Sequence, residues 1–197
     1  MTKELRRVFL LLVLAALALT ALACSPSAPS ISYDREIQIV DQPDAQDQMA
    51  PGLYCLVSTG EGSHFDLVAG KGSGEKIIRT MDFSSRAWVE VFAGETLKYK
   101  AAQIETHEER DMKGCYPTRL SNGFFLIGLD LFPGTLTVRG LDLKTGEAWL
   151  CEVYDNAHDL SAGPVRSYEF NNPIINVEVE TGEFLYLRNT EAYIPPS

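Results

Sequence analysis

Two eleven-residue stretches share one alternation of apolar and polar positions. Val89-Glu90-Val91-Phe92-Ala93-Gly94-Glu95-Thr96-Leu97-Lys98-Tyr99 and Val177-Glu178-Val179-Glu180-Thr181-Gly182-Glu183-Phe184-Leu185-Tyr186-Leu187 both read Val-x-Val-x-x-Gly-Glu-x-Leu-x-apolar. An apolar residue at every second position gives a strand one buried face, and glycine offers the positive φ a tight turn needs. Each stretch is expected to be a β-hairpin.

The same alternation predicts further strands over residues 36–40, 53–57, 64–69, 76–79 and 124–128. In 64–69 it puts Phe65, Leu67 and Ala69 on one side. Residues 41–48 are polar and patternless, hence a loop. Residues 103–112 are the helix candidate outside the leader. The likeness of the two hairpins extends upstream. Residues 133–138 match 51–56 at an offset of 82, Trp149 matches Phe65 at 84, and Tyr168-Glu169-Phe170 matches Met81-Asp82-Phe83 at 87; the hairpins match at 88. A rising offset is what a doubled module gives when its second copy gains loop residues, here in 155–164. Many short strands with Gly and Pro turns predict an all-β fold of two tandem β-sandwich or jelly-roll-like modules. The expected division is a signal peptide over 1–23, a Ser/Pro tether over 24–35, modules over 36–104 and 123–194, and an inter-module segment over 105–122. Modules this small bury little apolar area alone, so the two are expected to pack together or share a sheet edge.

The leader begins with a basic stretch over residues 1–7 and continues with an apolar run over 8–23, short for a membrane span of ~20 residues. It ends Thr20-Ala21-Leu22-Ala23-Cys24-Ser25, which resembles a bacterial lipobox. The resemblance implies that Cys24 is diacylated and becomes the mature N-terminus, so that the protein sits outside the cytoplasm on a lipid anchor. Ser-Pro-Ser-Ala-Pro-Ser follows as an extended tether. A second resemblance lies at Ile127-Gly128-Leu129-Asp130-Leu131-Phe132-Pro133-Gly134. It is similar to the Val-Gly-x-Asp-Ile-Pro-Ala-Gly-x-Tyr signature of tandem β modules on uncharacterised surface proteins of Gram-positive bacteria. Such modules also end in Val-x-Val-x-x-Gly-x-x-Leu-x-Leu. Here the proline is one place later, Leu136 replaces the tyrosine, and Gln48 stands in the first copy where Asp130 stands in the second. The resemblance implies a fold and a surface location, not an activity.

The formal charge of −10 becomes −12 once the leader's net +2 is removed. That argues against nucleic acid as a partner, since such binding neutralises phosphates with Lys and Arg. Comparing the copies places Val89, Val91, Leu97 and Tyr99, with their matches, on the core face. Trp88, Phe92, Phe184 and Tyr186 then fall on the opposite, wet face. Two readings follow: these faces cover each other or a loop, or the rings form a ligand platform for a sugar or peptide. Beyond Cys24 three cysteines remain. Cys151 matches Leu67 and reads as a buried hydrophobe. Cys55 and Cys115 are the pair an oxidising exterior would join.

Catalytic patterns are absent from the sequence. His64-x-Asp66 offers two metal ligands without a third. Residues 155–159 (Asp-Asn-Ala-His-Asp) are oxygen-rich but lack EF-hand spacing. No cofactor and no metal is expected. The sequence reads as a non-enzymatic, lipid-anchored extracytoplasmic protein, a binding or cell-envelope structural component. Its partners would be the membrane through its anchor, and a cell-wall glycan or another envelope protein. The alternatives are a carbohydrate- or cell-wall-binding protein, and a hydrolase at Asp155, His158 and Asp159.

Overall fold

The computed structural model describes residues 31–70, 72–113, 119–144 and 146–193. The leader, Cys24, Cys115 and most of the tether lie outside them. From Tyr33 onward the chain forms one compact unit. Its strands are β1 (Arg35–Ile39), β2 (Gln48–Met49), β3 (Gly52–Ser58), β4 (Ser63–Ala69), β5 (Lys76–Phe83), β6 (Arg86–Val91), β7 (Glu95–Lys100) and β8 (Ala102–Thr106). After helix α1 (His107–Lys113) come β9 (Arg119–Leu126), β10 (Gly134–Gly140), β11 (Leu150–Tyr154), β12 (Arg166–Ser167), β13 (Ile174–Val179) and β14 (Phe184–Tyr193). They build an all-β sandwich of two sheets. One runs β2-β1-β7-β4-β5; the other runs β12-β11-β14-β9-β6-β3-β8, with β10 and β13 attached through β14.

The two halves pair their strands in matching registers. Gly52 lies opposite Val91 in β3–β6, and Gly134 opposite Val179 in β10–β13. Leu67 faces Leu97, and Val153 faces Leu185. Leu56 faces Ile104, and Val138 faces Ala192. Even the irregular points recur. Ala101 (φ 50) and Asn189 (φ 57) both adopt left-handed backbone. Each has its amide caught by a side chain, from Asp34 at 2.7 Å and Asn122 at 2.6 Å. Gly94 (φ 91) and Gly182 (φ 90) supply the positive φ expected of the two hairpin turns. Register moves two expected matches. Cys151 lies opposite Leu187 as Phe65 lies opposite Tyr99, so Cys151 corresponds to Phe65 rather than to Leu67, and the match of Trp149 to Phe65 does not hold.

The halves meet inside one sheet. β6 and β9 run parallel, with Ala87 beside Phe124. Over Phe124–Leu126 of β9 and Phe184–Leu185 of β14 both strand faces are therefore buried. Phe124, Leu126 and Phe184 enter a core built mainly by the first half, while Phe125, Ile127, Leu185 and Leu187 enter a core built by the second. Between the sheets of the first half, Arg79 is buried, with no carboxylate partner among the described residues. Its guanidinium lies 5.3 Å from the Phe65 ring centre and 4.1 Å from that of Phe124. It donates to the carbonyls of Trp88 at 3.0 Å and Ala157 at 2.6 Å. Burial lowers its pKa to about 9, so it stays charged at neutral pH.

Local expectations fail where tertiary contacts override them. The helix expected over 103–112 begins only at His107, because Ala102–Thr106 pair with β3 instead. Thr106 and Glu109 then form a reciprocal cap, each side chain accepting from the other's amide at 3.1 and 2.8 Å. The loop expected over 41–48 gives its last residue to β2, which runs parallel to β1. Strand β4 is buried on both faces from Ser63 to Val68.

Close approach of β9 to β6 depends on Gly123. A Cβ there would sit 2.3 Å from the Arg86 carbonyl oxygen, a backbone atom that cannot swing away. Gly123→Ala should lower stability by about 1–3 kcal/mol in urea unfolding. Gly60→Ala, with no atom within 4 Å of the new methyl, should stay within about 0.5 kcal/mol of the parent.

Candidate functional site

Four hydrogen-bond donors converge on one buried carboxylate. Strand β6 brings Arg86 and Trp88, the end of β9 brings the Leu126 amide, and α1 brings Arg110. Asp130, in the turn after β9, accepts from Arg86 Nη1 at 2.6 Å, Trp88 Nε1 at 2.5 Å, Leu126 N at 3.1 Å and Arg110 Nε at 3.3 Å. The carboxylate has no solvent contact. His107 places its ring edge-on to Trp88, with centres 5.9 Å apart. This cluster seals the seam between the halves and offers no opening to a ligand.

The four aromatics expected on a wet face do not form a platform. Trp88 is fully buried under Asp130 and α1. Phe184 is 6 % exposed and stacks on Phe124 at 5.3 Å with planes 9° apart. Phe92 is 47 % exposed and lies against His158, ring centres 4.5 Å apart. Tyr186 is half-buried, near Phe124. Period-two alternation assigned these rings correctly to the second face of each strand. That face is covered at Trp88 by Asp130 and α1 and at Phe184 by Phe124 of β9, and stays partly open at Phe92 and Tyr186.

Tyr186 alone of the four reaches a cleft. A cavity of 780 Å³ opens between β5, β14 and the turn before β11, lined by Asp82, Ser84, Asn122, Glu147, Tyr186 and Arg188 among others. Strand β14 alternates, so Tyr186 and Arg188 point the same way while Leu185 and Leu187 enter the core. Asp82 is held from below. Its Oδ1 lies 2.7 Å from His64 Nδ1, and His64 Nε2 lies 3.3 Å from Asp66 Oδ1. Asp66 in turn accepts from the Tyr33 hydroxyl. Burial and that bond push the Tyr33 pKa up to about 12. The side chain of Asp82 is 90 % exposed, which leaves its second oxygen open to the cleft. Sequence spacing found His64 and Asp66 but missed Asp82 and Tyr33. The signal for Asp82 was register: β4 and β5 put it directly opposite His64.

The other candidates do not converge. His158 turns to Glu95, Nε2 to Oε1 at 2.7 Å. Asp159 Oδ1 caps a 3-10 turn by accepting from Ser161 N at 2.8 Å, which lowers its pKa. Asp155 accepts from Asn156 Nδ2 at 3.1 Å. The carboxylates and imidazole proposed for hydrolysis thus serve separate local bonds. Among the described residues no group of three His, Cys, Asp or Glu side chains could hold a metal ion. Cys55 and Cys151 are buried free thiols. Burial raises both, Cys151 to about 12; Asp130 adds to the effect at Cys55. Cys115, the expected partner of Cys55, lies outside the described residues. No described helix is long and apolar enough to cross a membrane.

Asp130→Asn removes the charge that balances two arginines in a site without water. A loss of about 3–5 kcal/mol is expected in denaturant unfolding. A loss below about 1 kcal/mol would mean that the arginines are satisfied without it.

No family model, no curated protein and no solved structure matches this chain.

Proposed function

We propose that this is a non-enzymatic, lipid-anchored extracytoplasmic binding protein, two copies of one ancestral β module joined so that the seam between them carries the ligand site. The observation that carries the reading is the cleft at that seam. Two of its polar groups are unspent: among the described residues the Tyr186 hydroxyl and the Arg188 guanidinium have no hydrogen-bond or ion-pair partner. A binding site needs such groups, because a donor already satisfied within the protein gains little from a ligand. The lipobox-like leader, the Ser/Pro tether and the acidic remainder of the chain support a domain held off a membrane and kept soluble there.

A hydroxyl-rich glycan is the occupant that the lining favours. Asp82 offers an oxygen to hydroxyl donors, Arg188 donates to sugar oxygens, and the Tyr186 ring supplies an apolar face. Trp149, directly after the lining residues Glu147 and Ala148, is a natural reporter.

Titration with a glycan panel and with cell-wall fragments should give saturable binding and a change in tryptophan emission. Arg188→Ala and Tyr186→Phe should each weaken it about tenfold, as losing one hydrogen bond to ligand does, without moving the melting temperature. Binding indifferent to both substitutions would place the ligand elsewhere; no binding at all would sink the glycan reading. In cells, azide-tagged palmitate should label the parent chain and not Cys24→Ser. Labelling that survives the substitution would remove the anchor.

A further inference from the structure

The second half covers a strand edge that the first half leaves open. In the second half, the C-terminal stretch of β14 pairs with β10 on one side and with the start of β9 on the other. Tyr193 faces Arg119, Ala192 faces Leu120 and Glu191 faces Ser121. By register, Ala192 and Tyr193 correspond to Ile104 and Glu105 of β8. Strand β8 pairs with β3, and among the described residues no strand pairs its outer edge. The residues that correspond to Arg119–Ser121 would be Ile31, Ser32 and Tyr33. Tyr33 does not take the place of Ser121, because its hydroxyl donates to Asp66 of the other sheet.

Backbone polarity shows what this edge presents. The Thr59 amide donates to the Ala101 carbonyl at 2.9 Å, just as the Leu141 amide donates to Asn189. In an antiparallel pair, hydrogen-bonding direction alternates residue by residue. Gln103 and Glu105 therefore turn their backbone groups to β3, and Ala102 and Ile104 turn theirs outward. Beside this edge lies a groove of 370 Å³ between Gln103, Ile104 and Glu105 of β8 and Glu109, Met112 and Lys113 of α1. Met112 is 80 % exposed. Glu105 binds Lys113 through Oε1 at 2.5 Å, while its Oε2 is buried without a partner. A buried carboxylate oxygen with no donor is costly, and an incoming cation or amide would satisfy it.

We infer that β8 and α1 form a docking groove for an extended peptide segment of a partner protein, added antiparallel to β8, with the order basic, apolar, small. The chain's own Arg119-Leu120-Ser121 shows why. On the corresponding edge Leu120 is buried in the second core opposite Ala192, and Arg119 stands opposite the position that corresponds to Glu105. Transferred to β8, the apolar residue covers Ile104, and the basic residue meets Glu105 beside Glu109. Main-chain bonds to Ile104 supply the pairing, and the carboxylates select the basic residue. This surface lies apart from the seam cleft and does not depend on the glycan reading.

The test is fluorescence anisotropy of a labelled, end-capped peptide Thr-Arg-Leu-Ser-Asn-Gly, copied from residues 118–123, with detergent-purified full-length protein. Saturable binding is expected. Methylating the leucine amide of the peptide should weaken it at least about tenfold, since it removes one ladder bond and leaves the protein untouched. Replacing the peptide's arginine by glutamate, or Glu105→Gln in the protein, should weaken it similarly. Absence of binding overturns the inference. So does binding that ignores both the methyl group and the charge reversal. Sedimentation that shows self-association competed by the peptide would put a second copy of the chain in the groove, and would overturn the partner-peptide assignment.

Discussion

A carboxylate cut off from water must be surrounded by donors, and that requirement at Asp130 organises the seam of this protein. An isolated buried ion costs far more than any single contact returns. Arg86, Arg110, the Trp88 indole and the Leu126 amide all reach it. The four donors come from three pieces of chain. Strand β6 belongs to the first half, the Leu126 amide to the second, and α1 to the stretch between them. Satisfying one anion therefore fixes three elements at once. It also explains the local chemistry. Trp88 is oriented by its indole nitrogen, α1 is held over β6 despite having only two turns, and the Cys55 thiol beneath them is pushed towards its protonated form.

Around that anchor, the two halves share a wall. Where β9 and β14 cross the seam, over Phe124–Leu126 and Phe184–Leu185, they are apolar on both faces because each face closes a different core. Fully burying a ring such as Phe124 or Phe184 contributes roughly 1.5–3 kcal/mol relative to leaving it exposed, so the wall is worth more than either half could gain alone. Arg79 depends on the same wall. Its charge is held by two carbonyls and two ring faces, one of them Phe124. The segment over 155–164 locks the arrangement from the far side. Ala157 gives its carbonyl to Arg79 and to the Glu90 amide, and His158 pairs with Glu95. The corresponding glutamate in the second half, Glu183, is held by Arg166 at 2.6 Å instead. One turn position thus has two solutions, one within its own half and one across the seam.

The polar surface follows from this architecture. Where the wall emerges from the seam, β14 stops being covered and presents Tyr186 and Arg188 to the cleft. Where the first half ends, no strand among the described residues lies along the outer edge of β8. Both surfaces follow from how the two halves meet, with the second half's opening strand serving the first half's core. A cleft at the seam senses both halves at once, whereas the β8 edge belongs to the first half alone.

The sequence by itself determined the strands, the hairpin turns and the correspondence between the halves. These rest on period-two alternation and on glycine at positive φ, which are local properties that a single chain displays directly. It also located His64, Asp66, Asp130 and Tyr186, though not their roles. What only the tertiary structure decided is which second faces stay wet. Alternation separates the faces of a strand but carries no information about what lies against them, so Trp88 and Phe184 read as surface until β9, β14 and α1 were seen to cover them. The same holds for the start of α1. Residues 103–106 suit a helix locally, but the edge of β3 offers them hydrogen bonds and a packed face. The pairs that build the sites, Asp82 with His64 and Asp130 with Arg86, join residues 18 and 44 positions apart. Register and sheet order create such pairs, and no spacing motif encodes them.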